Sequence, residues 1–151
     1  MENIIVALTN IPCIFPIYRS FIHHDYWTFA ALTFVSIGSI VSHLIENHKH
    51  GMIGFPNISK ETSYLWNRID VLGSRLLIIR LLYLFYKKCH LSMIINHPSQ
   101  WFIMLSPILF LKVSEYDKYN ARLKPVYIVT HSIWHITVFL SIDYYLKRWI
   151  Y

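Results

Sequence analysis

The sequence predicts an all-α fold, a multi-pass transmembrane helix bundle of about five membrane helices. Three observations carry that expectation. Hydrophobic residues make up 55% of the chain against 15% charged, with a mean hydropathy of +0.39, too apolar for an ordinary soluble domain. The apolar residues gather into long runs rather than alternating. Eleven Tyr and five Trp suit a protein with many membrane–water boundaries. At 151 residues the chain is one domain, residues 1–151. Its net charge of +6 does not point to nucleic acid, because Lys and Arg stand in short clusters beside apolar runs, such as Lys87-Lys88 and Lys147-Arg148. Cys13 and Cys89 lie in different segments, so neither a disulfide framework nor a zinc ribbon is implied.

The first helix is expected near residues 4–21, kinked by Pro12 and Pro16. Glu2 and the lack of a basic leader make it a membrane helix rather than a cleaved signal peptide. A polar turn with Arg19, His23, His24 and Asp25 follows. The second helix spans residues 26–46. Along it Thr33, Ser36, Ser39, His43 and Glu46 recur at three- and four-residue steps, a polar stripe that must face a bundle interior. Gly51, Gly54 and Pro56 break the longest loop, residues 47–62, which holds His48, His50 and the sequon Asn57-Ile58-Ser59. The third helix covers residues 63–86, with Asn67, Asp70 and Ser74 on one face and Arg75 and Arg80 deeper. Arg80 must snorkel or find a carboxylate. Residues 87–100 are polar. A short fourth helix, residues 101–114, is broken by Pro107 and is tilted or spans incompletely. Charged residues 115–124 lead to the fifth helix, residues 125–147.

His131 and His135 sit at i and i+4 on that last helix, about 6 Å apart along its axis, the spacing at which two imidazoles grip one metal ion. Alternating five crossings puts the N-terminus and the 47–62 and 115–124 loops on one side. His43 is then one turn from that side, Asp70 about two turns in, and His131 and His135 about two to three turns in. All four fall in one leaflet. Three imidazoles and a carboxylate match a catalytic zinc site, with His43, His131 and His135 as ligands and the catalytic groups Asp70, for the attacking water, and Ser39, for an oxyanion or a ligand. Two other readings stand beside it. The polar groups could join helices by hydrogen bonds alone, or His48 and His50 could replace one ligand from the loop. Neither H-E-x-x-H, a Gly-rich phosphate loop nor G-x-S-x-G occurs.

These motifs resemble the CREST superfamily of membrane hydrolases, which includes alkaline ceramidases, progestin/adipoQ receptors and GPI-lipid remodelling proteins. Its pattern is S-x-x-x-H on one helix, Asp on the next and H-x-x-x-H on the last. Here these are Ser39 to His43, Asp70 within Asn67 to Ser74, and His131 to His135. The chain is most similar to the transmembrane-protein-8/myomaker branch, through Leu8-Thr9-Asn10-Ile11, Asp70-Val71-Leu72-Gly73-Ser74 and His131-Ser132-Ile133-Trp134-His135. The resemblance covers most of residues 5–75 and 125–145. It implies Zn2+ held by His43, His131 and His135, with Ser39 and Asp70 in accessory positions. It also implies hydrolysis of an amide or ester bond in a membrane lipid, either a ceramide-like amide or an acyl chain of a GPI lipid or phospholipid.

The chain departs from the family's seven core helices, since only about sixty residues separate Asp70 from His131. Leu44-Ile45-Glu46-Asn47 also lacks the branch's small-residue, Cys-containing continuation. A homo-oligomer would supply the missing helices. The alternative is a non-enzymatic protein of the same fold that remodels or fuses bilayers or binds partners, with zinc structural or absent. Loop charge does not set the orientation. The superfamily's receptors place the site toward the cytosol, the orientation expected here in an endomembrane or the plasma membrane.

Overall fold

Proline divides the first run. Helix α1 (Glu2–Leu8) ends, a 3-10 turn covers Ile11–Cys13, and α2 (Ile14–Ile22) resumes the path. Pro12 has no amide to offer the Leu8 carbonyl, so the chain opens at Thr9-Asn10 instead of continuing as one rod. The structure is a computed structural model that describes residues 2–55, 57–89 and 95–151. Pro56 and residues 90–94 of the polar segment lie outside it.

Side-chain caps fix the next two starts. Asp25 accepts from the Thr28 amide at 3.1 Å and opens α3 (Tyr26–Ile45). Ser59 accepts from the Thr62 amide at 3.1 Å and opens α4 (Lys60–Lys88), three residues earlier than periodicity suggests. Pro107 splits the fourth run into α5 (Pro98–Leu105) and α6 (Pro107–Ser114). A 3-10 turn at Ala121–Leu123 precedes α7 (Lys124–Tyr145), and Leu146–Ile150 closes the chain as a π-turn. Among the described residues there is no strand, and the fold is all-α.

Three stretches are long and apolar enough to cross a membrane: Glu2–Ile22, Tyr26–Ile45 and Ala121–Ile150. Helix α4 has 29 residues and ample length, but Arg68, Asp70, Arg75 and Arg80 interrupt its apolar character. Helix α3 is central and packs on α1, α2 and α4, while α7 packs on α6 and α2. The main core, with Leu32, Val35, Leu77, Phe139, Ile142 and Leu146, joins α3, α4 and α7.

Glycine lets α3 and α4 approach. A Cβ added at Gly73 would lie 3.0 Å from the Val35 Cα, and one at Gly38 would lie 3.5 Å from the Asp70 Cα. Gly73→Ala is therefore expected to push the two helices apart and cost about 1–3 kcal/mol. Thermal unfolding in detergent checks this, and an unchanged midpoint would show that the crossing yields freely.

Arg80 finds its carboxylate: it donates to Asp25 at 2.7 Å and to the Thr28 hydroxyl at 3.0 Å. Arg19 pairs with Asp143 at 2.7 Å. At the other end of the bundle, Asn3 donates to the carbonyls of His43 and Glu46, both at 2.8 Å. The His50 amide donates to the Lys118 carbonyl at 2.7 Å, and Lys124 meets Glu2 at 3.1 Å. The N-terminus and the 47–62 and 115–124 loops thus share one end, as alternating crossings require. His23 and His24 lie at the opposite end, where His23 stacks on Tyr151 with ring centroids 4.3 Å apart.

Candidate metal centre

The polar stripe of α3 and the HxxxH of α7 face each other. His43, His131 and His135 are 2%, 4% and 4% exposed. Each offers one ligand atom, and these atoms lie within 4.8 Å of one another, so the three could hold a metal ion. The Nε2 atoms of His43 and His131 are 3.2 Å apart.

The outer nitrogens decide what the inner ones can do. His131 Nδ1 lies 3.0 Å from Ser114 Oγ, at the end of α6. That hydroxyl gives its own proton to the Leu111 carbonyl at 2.8 Å, so it accepts from the imidazole. His135 Nδ1 lies 3.1 Å from Thr9 Oγ1, whose proton goes to the Val6 carbonyl at 2.6 Å. The Asn10 amide nitrogen, beside the Pro12 break, is equally close at 3.1 Å and can donate to that ring nitrogen, while the Val6 carbonyl lies 3.4 Å from it and can accept. His43 Nδ1 lies 3.3 Å from the Glu46 carboxylate, which can only accept when ionised. With Nδ1 protonated toward Ser114 and Glu46, the neutral rings of His131 and His43 turn their Nε2 lone pairs toward each other. Lone pairs brought this close repel unless something positive lies between them. The donor set fits a divalent ion favoured by imidazole, with each ligand oriented from outside.

Behind His43 is a buried charged network. Glu46 is 0% exposed and also accepts a hydrogen bond from the Tyr127 hydroxyl. Lys49 lies 3.5 Å from Glu46 and 3.1 Å from Glu115. Burial works to raise the Glu46 carboxyl, but hydrogen bonds from His43 and Tyr127 and the positive charge of Lys49 overcome it and hold the group below the usual carboxylate range. Burial likewise works to lower Lys49, and the two carboxylates hold it above the usual lysine range. The pair stays ionised.

Of the five site residues read from the sequence, the structure gathers His43, His131 and His135. It places Ser39 Oγ 3.5 Å from His135 Nε2. Asp70 stands outside that cluster, half-buried on α4 with its backbone against Gly38, the neighbour of Ser39. His48 and His50 do not join. His48 Nδ1 is 2.8 Å from Ser63 Oγ, and the two ring nitrogens of His50 lie 3.3 and 3.2 Å from the Asn120 and Ser114 carbonyls. His50 is also 1% exposed, where a loop histidine is expected in solvent. Sequence reasoning placed Glu46 on the stripe without giving it a task, and gave none to Tyr127 or Ser114. The available signals were Glu46 at i+3 from His43 and Tyr127 at i−4 from His131.

No protein-family model and no solved structure matches the chain. It is 50% identical over 153 residues to an uncharacterized protein of Acanthamoeba polyphaga mimivirus, with 100% of each chain covered. At that identity and coverage, the chain belongs to the same family as this mimivirus protein.

Proposed function

We propose that the chain is a multi-pass membrane protein with an intramembrane zinc site, acting as a hydrolase of an amide or ester bond in a membrane lipid. The observation that carries this reading is the inward turn of three Nε2 atoms whose Nδ1 partners lie outside, on Ser114, Thr9 and Glu46. His43, His131 and His135 would hold Zn2+, a three-histidine set of the kind that leaves a position open for chemistry. Bound there, zinc supplies a Lewis acid for the scissile carbonyl and lowers the pKa of a water to about 7. Ser39 donates a hydrogen bond to the oxygen that gains charge, from beside His135. Asp70, on the helix behind Ser39, receives the proton and returns it to the leaving group. The three apolar helices support placement in a bilayer, with α4 and the α5–α6 pair as the two further crossings. The ordered S-x-x-x-H, Asp and H-x-x-x-H motifs favour the lipid-hydrolase class.

One observation favours a second reading. The ligands are nearly closed from solvent and Asp70 stays outside their cluster, which suits a structural ion in a non-enzymatic membrane protein. Asp70→Asn separates the two. Turnover is followed on a ceramide and on a diacyl phospholipid in mixed micelles. The hydrolase reading expects a loss of about 100-fold or more with metal retained. A parent that holds metal but cleaves neither lipid, and an Asp70→Asn variant indistinguishable from it, would leave the structural reading.

A further inference from the structure

We infer that the outer face of α4 docks a membrane helix of a partner protein that carries a carboxylate opposite Arg75. The inference rests on the reading that the bundle lies in a bilayer. Helix α4 is at the edge: it packs along α3, and only its C-terminal part meets the π-turn, Tyr145 of α7 and Trp101 of α5. Leu65, Leu72, Ile79 and Leu82 on its far side are 56%, 51%, 63% and 62% exposed. With Arg68 and Arg75 between them, also exposed, these residues fall at alternating three- and four-residue steps over two and a half heptads, the spacing of a helix–helix seam.

The two arginines differ in what they can reach. Packing against α3 sets their depth: Ser63 meets Asn47 at one end of α3, Arg80 meets Asp25 at the other, and Gly73 crosses Val35 between them. Helical side chains lean toward the N-terminus of their own helix. Arg68 leans toward the nearer end, at Ser63, and can place its guanidinium in the headgroup layer. Arg75 stands two residues beyond the crossing glycine and leans into the middle of the bundle's depth. Among the described residues Arg75 forms no ion pair. A guanidinium held there against lipid is unfavourable. A carboxylate on a neighbouring helix removes that cost and completes the seam. A second copy of this chain fits less well. A parallel two-fold pairing through α4 sets Arg75 against Arg75.

The test uses the full chain, fluorescently labelled and reconstituted in phosphatidylcholine vesicles. The probes are a synthetic single-span polyleucine helix with one central Glu and its all-Leu counterpart. Energy transfer to the Glu helix is expected, with about tenfold weaker association of the all-Leu helix and of the Arg75→Leu chain with the Glu helix. Arg75→Leu should retain its helical circular dichroism, because leucine suits that exposed position. Equal transfer to both probes, or none, would overturn the inference. So would association between copies of the chain that Arg75→Leu abolishes, which would assign the face to a second copy. Carbonate extraction of the same vesicles separates the two levels. A chain that is washed out ends the membrane reading and this inference together, whereas an inserted chain that ignores the Glu helix ends this inference alone.

Discussion

Purified in detergent, the parent chain is expected to carry about one zinc ion, and His131→Ala/His135→Ala none. The double substitution leaves His43 as a single buried imidazole, and one nitrogen donor cannot hold a divalent ion in this setting. His23→Ala/His24→Ala at the other end of the bundle is the matched control and should retain the parental content. Elemental analysis per chain reads all three. Because Ser114 and Thr9 each lose an imidazole partner in the first variant, its helical circular dichroism is recorded alongside. A folded parent without metal would reduce the three histidines to hydrogen-bonded helix contacts, and the hydrolase reading would fall with the metal.

Glu46→Ala is expected to cost about 3–5 kcal/mol of stability, the range for breaking one side of a buried ion pair. Glu46 accepts from Tyr127 and His43 and faces Lys49 at 3.5 Å, all in a region closed to solvent. Its removal leaves Lys49 with Glu115 alone, at 3.1 Å, and leaves the Tyr127 hydroxyl without its acceptor. Denaturant unfolding measures the loss. Combining it with Lys49→Met should recover part of the cost, because the stranded ammonium is then gone. A loss below about 1 kcal/mol would show that other groups or water already satisfy Lys49 and Tyr127.

The centre was legible in the sequence because two regularities act together. The helical repeat puts His131 above His135 and Ser39 one turn from His43, and an alternating up-and-down order of helices sets all of them at one level of the bundle. Rotation about a helix axis is weaker information. The depth of Asp70 agrees with the site, yet its backbone faces Gly38 while its carboxylate stays outside the histidine cluster. The groups that orient the histidines were not legible. A serine at the end of a short helix is common, the Leu8-Thr9-Asn10-Ile11 stretch was read for its resemblance without a task, and only tertiary packing brings Ser114 to His131 and Thr9 to His135. The place of His50 was not legible for a related reason. The 47–62 loop folds over the end of the bundle, so His50 is stacked on Tyr127 with its two ring nitrogens 3.3 and 3.2 Å from carbonyl oxygens. Charge made the difference for α4, whose length is ample but whose arginines keep it outside the set of apolar spans.

The opening at Thr9-Asn10 also has a bearing on the time course of folding. The contact it makes possible, Thr9 to His135, closes a loop of 126 residues, and Ser114 and His43 reach the same point from intermediate distances along the chain. Contacts between partners so far apart in sequence form slowly, because the intervening chain must be ordered before they are rewarded. Asn3 finds its acceptors at the end of α3, whereas Thr9 meets its imidazole partner only when α7 is in place. The centre is thus expected to close late in folding, and an ion captured there would act as a latch that slows unfolding more than it speeds assembly.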